Sequence, residues 1–267
     1  MLTATYIFLW AALVLYGLHL LGGSDWAGWG GTGGAVAAWV VLTGGLAIRG
    51  LRAGHWPLTN RYEFGLCFLW ALLAVHLLLE ISAGERRWGG FGIGVAILVA
   101  TTALAHPPGE RAIYPLAPAL RSVWLPIHGL TAAVGYGACG VGAGLALMRT
   151  VHPGGERGPK WPPVVSVERA MGRALGLGFP WLTLSILSGG IWAEVAWGRY
   201  WGWDPKESWS LVVWLGYLLF FHLRAVRGWR GRRLAGVVVA AFVLLYFGFV
   251  GLPALVRGIR LESLHGF

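Results

Sequence analysis

Long apolar runs constrain this chain more than anything else in it. Crossing a hydrocarbon core of ~30 Å takes about 20 apolar residues in a helix, because backbone polar groups find no water there. Such runs recur over about residues 3–21, 33–48, 64–82, 88–105, 124–148, 174–195, 209–223 and 234–256. The second and seventh are short, so their ends are the least fixed. The expected fold is all-α: one integral membrane domain over 1–267, a polytopic bundle of about eight transmembrane helices. Charged residues are 12% of the chain, about half the share of a soluble domain, and no stretch reads as a separate soluble unit. The first run has no charge before it and no convincing small-residue cleavage site, so it reads as a retained helix and not a signal peptide.

A net charge of +10 would fit a nucleic-acid binder, but the basic residues sit in short connections between apolar runs. There they set orientation, and no nucleic-acid partner is expected. The richest clusters, 149–173 and 224–233, hold five Lys or Arg each. With eight spans both fall on one side, which is then cytoplasmic. The 195–208 loop and both termini become extracytoplasmic, and the chain lies in lipid, in a plasma or thylakoid-type membrane. The first half carries a weaker signal: 22–32 has no Lys or Arg although it falls inside, while Arg49, Arg52 and Arg61 fall outside.

The glycines at 135, 137, 140, 142 and 144 read as a close-packing face of the fifth run. Cys67 and Cys139 lie within runs and form no Cys-x-x-Cys pair, so they read as small packing residues.

The chemistry concentrates in a loop at about 196–209, which contains Trp197-Gly-Arg-Tyr-Trp-Gly-Trp-Asp-Pro-Lys-Glu-Ser-Trp209. Trp and Tyr favour the membrane interface, and an aromatic belt is the plain reading. A belt needs one or two anchors per helix end, however. Here Trp197, Tyr200, Trp201, Trp203 and Trp209 crowd one loop, with Gly198 and Gly202 between them. That composition suits a flat platform for a large planar ligand. Asp204, Pro205 and Glu207 have the order of a capping box opening the next helix, a role compatible with binding.

The pattern Trp197-Gly-x-x-Trp201-x-Trp203-Asp204-x-x-Glu207 resembles the tryptophan-rich WWD signature of heme-handling proteins in cytochrome c biogenesis. Within that group the chain is most similar to the CcsA (ResC) family. Gly176-Leu-Gly-Phe-Pro180, Leu187-Ser-Gly-Gly-Ile-Trp-Ala193, Gly228-Trp-Arg-Gly231 and Leu264-His265-Gly266 extend the likeness. Gly54-His-Trp-Pro-Leu58 and Asn60-Arg-Tyr-Glu63 carry it more loosely upstream. The resemblance implies heme b as the bound group, held by Trp197, Trp201, Trp203, Asp204 and Glu207. It further implies a CcsB-like membrane partner and an apocytochrome c with a Cys-x-x-Cys-His segment. The function it implies is heme transport and attachment on the extracytoplasmic side, as the CcsA component of a CcsB–CcsA synthase. A heme exporter or chaperone without ligation activity, or a HemX-like regulator, remains the alternative.

Histidines are common axial ligands of heme iron. His128 lies just past Pro126 at the outer end of the fifth run, and His265 follows the last run on that same side. Both share the tryptophan loop's face, where an interfacial histidine would also sit; the resemblance makes them axial ligands. His222 lies 18 residues beyond Asp204, or about 27 Å deeper at ~1.5 Å per residue. It is either an interfacial residue beside Arg224 or, as the resemblance implies, a ligand of an inner heme site completed by the partner chain. His76, in the middle of the third run, is read as structural, with pairing to His222 the alternative. His55 belongs to a resembling segment without a clear role, and His19, His106 and His152 give no signal.

Overall fold

The computed structural model describes residues 1–153 and 160–258. His265, with the terminal motif around it, and Arg157 lie outside the described residues. Among those described there is no strand: the chain is a helical bundle built from α1 (Leu2–Gly22), α2 (Asp25–Ala53), α3 (Arg61–Ala83), α4 (Gly89–Ala105), the short α5 (Pro108–Arg111), α6 (Trp124–Val151), α7 (Val164–Trp197), α8 (Pro205–Ala225) and α9 (Gly231–Gly258). Seven of these are long and apolar enough to cross a membrane, so the protein is a multi-pass membrane protein.

The fourth expected span is the exception to that length. α4 has 17 residues, about 25 Å at ~1.5 Å per residue. It nevertheless joins the two ends of the bundle. Near its start, the Arg87 guanidinium donates to the Trp161 carbonyl. Past its end, Glu110 pairs with Arg61 at the start of α3. The up-and-down alternation of eight helices therefore holds.

The second run extends well past its expected limits. α2 begins at Asp25, so only Gly23 and Ser24 separate it from α1. Its glycines are contact points: a Cβ at Gly31 would lie 2.7 Å from the Tyr16 ring, and one at Gly34 would lie 3.1 Å from the Ala12 Cβ. In lipid the alternative to a helix is an unpaired backbone, which outweighs glycine's low helix propensity.

α6 is the axis of the bundle, packed on α7, α3, α9 and α4. Its glycines serve several neighbours, not one face. Cβ atoms at Gly135 and Gly142 would meet Leu182 and Leu175 of α7. Those at Gly137 and Gly140 would meet Leu72 of α3, and one at Gly144 would lie 2.8 Å from the Phe91 carbonyl oxygen of α4. Cys67 and Cys139 are buried and free.

The two basic clusters meet at one end. Gly172 faces the Arg224 guanidinium, Arg149 reaches Gly231, and Arg232 donates to the His152 carbonyl at 2.7 Å. Arg86, from the α3–α4 connection, lies 3.5 Å over the Trp29 ring, adding a cation at that same end where the 22–32 stretch has none. The tryptophan loop is at the opposite end. There the outlying arginines are held by ion pairs: Arg49 with the buried Glu63 at 2.7 Å, and Arg61 with Glu110 at 3.3 Å. Arg49 also donates to the carbonyls of Arg111 and Ala112.

Candidate functional site

At the loop end a cavity of about 270 Å³ opens between α3, α6, α7, α8 and α9. Its aromatic wall includes Trp192, Tyr200, Trp201, Trp209 and Trp214, and His128 lies among them.

The tryptophan loop has a fixed form. α7 ends at Gly198, whose φ of 71° is left-handed, a conformation glycine adopts without Cβ strain. α8 begins in the capping box its sequence announces. The Asp204 carboxylate accepts the Lys206 N–H at 2.9 Å. The Glu207 carboxylate accepts the Asp204 N–H at 3.1 Å and the Gly202 N–H at 2.7 Å. Glu207 thus ties the loop before the helix to the helix itself. Between those anchors Trp203 has a φ of 56°, left-handed for a residue with a bulky Cβ substituent. Such a conformation costs of order 1–2 kcal/mol.

The loop's rings divide into two sets. Trp201 and Tyr200 line the cavity, and the Tyr200 carbonyl lies against Gly190 of α7. Trp203 meets Trp201 edge-on at 5.7 Å but stands 70% exposed, outside the cavity lining. Trp197 packs edge-on against the buried Trp192 at 4.9 Å. Of the expected binding set, then, Trp201, Glu207 and His128 border the cavity. Trp197 and the buried Asp204 support it from behind, and Trp203 flanks it.

His128 is held from α7. Its Nδ1 lies 2.9 Å from the Ser185 carbonyl oxygen. A carbonyl only accepts, so Nδ1 is the donor in this contact and carries a proton. The ring lies nearly parallel to Trp192, 11° between planes at 6.0 Å. It rests on Gly189, where a Cβ would come within 2.9 Å of it. Metal-ligating histidines commonly donate one ring N–H to a backbone carbonyl in this way, which fixes the ring's orientation.

Several residues outside the expected binding set complete the site. Gly189 and Trp192, which seat His128, lie within the Leu187–Ala193 segment. Leu58, Asn60 and Arg61 line the cavity from the 54–63 segment, and Lys206 lines it from the start of α8. Their membership in motif-like segments was the available signal.

His222 is elsewhere. It occupies the basic end of α8, outside the cavity lining, and is exposed on the outer surface of the bundle. It shares that outward face with Leu215, Leu218 and Leu219. His76, by contrast, is 2% exposed. It sits edge-on to Tyr16 of α1, 3.6 Å from Glu80, and faces Gly92 of α4. Glu80 in turn accepts from Tyr16 at 2.6 Å and from Thr32 at 2.5 Å. The structure does not bring the two histidines together: α8 packs on α9 and α7. His55 makes a local contact with the Trp56 carbonyl.

A family model described as "Cytochrome C assembly protein" matches residues 58–259, which include every cavity element named above. Relatives named "Cytochrome c biogenesis protein CcsA" span most of the chain. The one from Gloeobacter violaceus is 32% identical over 86% of this chain and 85% of its own length. That from Synechococcus elongatus is 32% identical over 86% of each. That from Microcystis aeruginosa is 30% identical over 96% of this chain and 92% of its own length. The chain belongs to the cytochrome c assembly protein family, within the CcsA group of cytochrome c biogenesis proteins.

Proposed function

We propose that the chain presents heme to apocytochrome c at the tryptophan-loop end of the bundle, as one component of a heme–apocytochrome c synthase. The observation that carries this reading is the seating of His128: its Nδ1–H donates to the Ser185 carbonyl, its ring is laid on Gly189, and it is set in an aromatic cavity. Heme b is the substrate that fits the donor set. His128 supplies one axial nitrogen, and Trp201 and Tyr200 supply ring faces for the macrocycle. His265 is the second axial ligand on this reading. A cavity of about 270 Å³ is near the low end of small-molecule sites, ~300–1,000 Å³. That size favours a macrocycle standing partly clear of the wall, with an edge open to a second protein.

The reaction needs two reduced cysteines of a Cys-x-x-Cys-His segment. Each thiol adds across a vinyl double bond: sulfur bonds the carbon next to the ring, the thiol hydrogen goes to the terminal carbon, and no external oxidant is consumed. The segment's histidine replaces one axial ligand. What this chain contributes is positioning, holding the macrocycle in one orientation while the peptide approaches.

The tryptophan-loop end is extracytoplasmic on this reading, supported by the basic clusters at the opposite end. His222 would take heme at the inner side. Its exposed position on an apolar helix face supports a trans ligand from another chain, a CcsB-like membrane protein. Co-expression of this chain, such a partner and an apocytochrome c tests the proposal. Covalent heme on the cytochrome, lost with His128→Ala, is the expected result. Heme bound to the chain but never attached under those conditions would assign it to export or chaperoning instead.

A further inference from the structure

A second group of polar side chains is buried toward the basic end, outside the cavity lining. At its centre is the Glu80 carboxylate of α3. Tyr16 of α1 donates to Oε2 at 2.6 Å, and Thr32 of α2 donates to Oε1 at 2.5 Å. Arg86, from the α3–α4 connection, donates to the Thr32 hydroxyl at 3.2 Å and lies 3.8 Å from Oε1. His76, one turn earlier in α3, brings Nε2 to 3.6 Å from Oε2. His19 of α1 is within electrostatic reach of the carboxylate. α4 has no charged residue and offers Gly92, where a Cβ would lie 2.5 Å from the His76 Nδ1.

The group is incomplete at one atom. His76 Nε2 is buried, and among the described residues it has no hydrogen-bond partner. A polar atom left so in a protein interior carries its full desolvation cost and calls for a cause. Glu80 Oε2 is slightly beyond hydrogen-bond length from it, within reach of a small side-chain rotation. An ionised carboxylate only accepts, whereas a protonated one has an O–H to donate. Both oxygens of the protonated form still accept, so the bonds from Tyr16 and Thr32 survive the change.

We infer that Glu80 and His76 form a proton-binding site, with one proton carried on Glu80 Oε2 and donated to His76 Nε2. That state gives the nitrogen its partner. It also leaves two neutral side chains in an interior where separated charges are costly. Arg86 opposes it by favouring the carboxylate, which makes the proton releasable. Arg86 is the most open member, 22% exposed against 1–2% for Glu80 and His76. Protons therefore enter from the basic end, past Arg86 and the Thr32 hydroxyl. The site is independent of the heme reading.

Infrared spectra of the purified full chain, recorded across the pH range in which it stays folded, test the site. A protonated carboxyl group has a carbonyl stretch that a carboxylate lacks. One such band should grow as pH falls and be missing from Glu80→Gln. His76→Phe should keep the band at a changed frequency, because the acid O–H has lost its acceptor. Arg86→Gln should enlarge it about twofold at the pH where the unaltered band is a quarter of its full size. Helix content and thermal unfolding show whether each variant is folded. Arg86→Gln alters only the partly exposed rim, so it reads the site even where an interior variant unfolds. A chain without a titrating carboxyl band, or a band that survives Glu80→Gln, would overturn the proposal. So would a band unmoved by His76→Phe in a folded protein, or one unchanged in Arg86→Gln.

Discussion

His128 and Ser185 stand 57 residues apart on neighbouring helices, yet the imidazole Nδ1 of one lies 2.9 Å from the backbone carbonyl of the other. A backbone acceptor is insensitive to side-chain substitution, so the tautomer of His128 follows from the packing of α6 on α7. The seat depends on Gly189, where a methyl group would lie 2.9 Å from the ring. Gly189→Ala should displace the imidazole and weaken heme binding about tenfold, the equivalent of ~1.4 kcal/mol, with little loss of helix content. His128→Ala should lose more, and added imidazole should partly restore a low-spin spectrum. An unchanged heme spectrum in a folded His128→Ala protein would remove it as a ligand.

Trp203 holds a backbone conformation unfavourable for its side chain and exposes 70% of its surface. Asparagine tolerates that conformation better. Trp203→Asn should leave the thermal midpoint of the purified protein unchanged or raise stability by up to ~1 kcal/mol, while lowering heme content. Parallel loss of both would show that the ring serves the loop's stability instead.

Glu63 is 1% exposed and paired with Arg49. Arg49→Met leaves that carboxylate buried without its ion partner, a change that costs about 3–5 kcal/mol in comparable pairs. The double variant Arg49→Met, Glu63→Gln should recover part of the loss. Thermal unfolding in detergent reads both.

His222→Ala should deplete heme throughout the complex, including the cavity, because uptake at the inner side fails. His76→Ala should leave heme near normal and reduce stability, since His76 packs against Tyr16 and Gly92 and not against α8. Equal emptying by both variants, with folding intact, would place the inner site within this single chain.

A cysteine at Trp203 should react with a membrane-impermeant thiol reagent in intact cells, and one at Arg230 should not. Labelling at Arg230 would reverse the orientation and move the cavity to the cytoplasmic side.

The parts of this fold legible in the sequence are those determined locally. The start of α8 could be read from Asp204, Pro205 and Glu207 because a capping box involves only neighbours in the chain. The start of α2 could not: glycines 28–34 look like a loop until Tyr16 and Ala12 are seen filling the space their missing side chains leave. The grouping of His128 with Trp201 followed from counting spans. Gly189, Arg61 and Lys206 reach the cavity through the packing of α3, α7 and α8, which no spacing rule encodes. His222 illustrates the limit: its depth was readable from residue counts, but its outward rotation required the helix's neighbours.

The glycines of α6 carry a consequence for how this chain can vary in length. Each successive residue turns an α-helix by roughly 100°. Inserting or deleting one residue between Gly135 and Gly144 would shift the glycines on one side of the change out of register with those on the other. Tyr136, moved to the place of Gly137, would be driven toward the Leu72 backbone, and Leu145, moved to the place of Gly144, toward the Phe91 carbonyl. Single-residue insertions and deletions should therefore be rejected throughout that stretch and tolerated in the 112–117 connection. α6 acts as a molecular ruler, fixing His128 relative to α3, α4 and α7 by residue count alone.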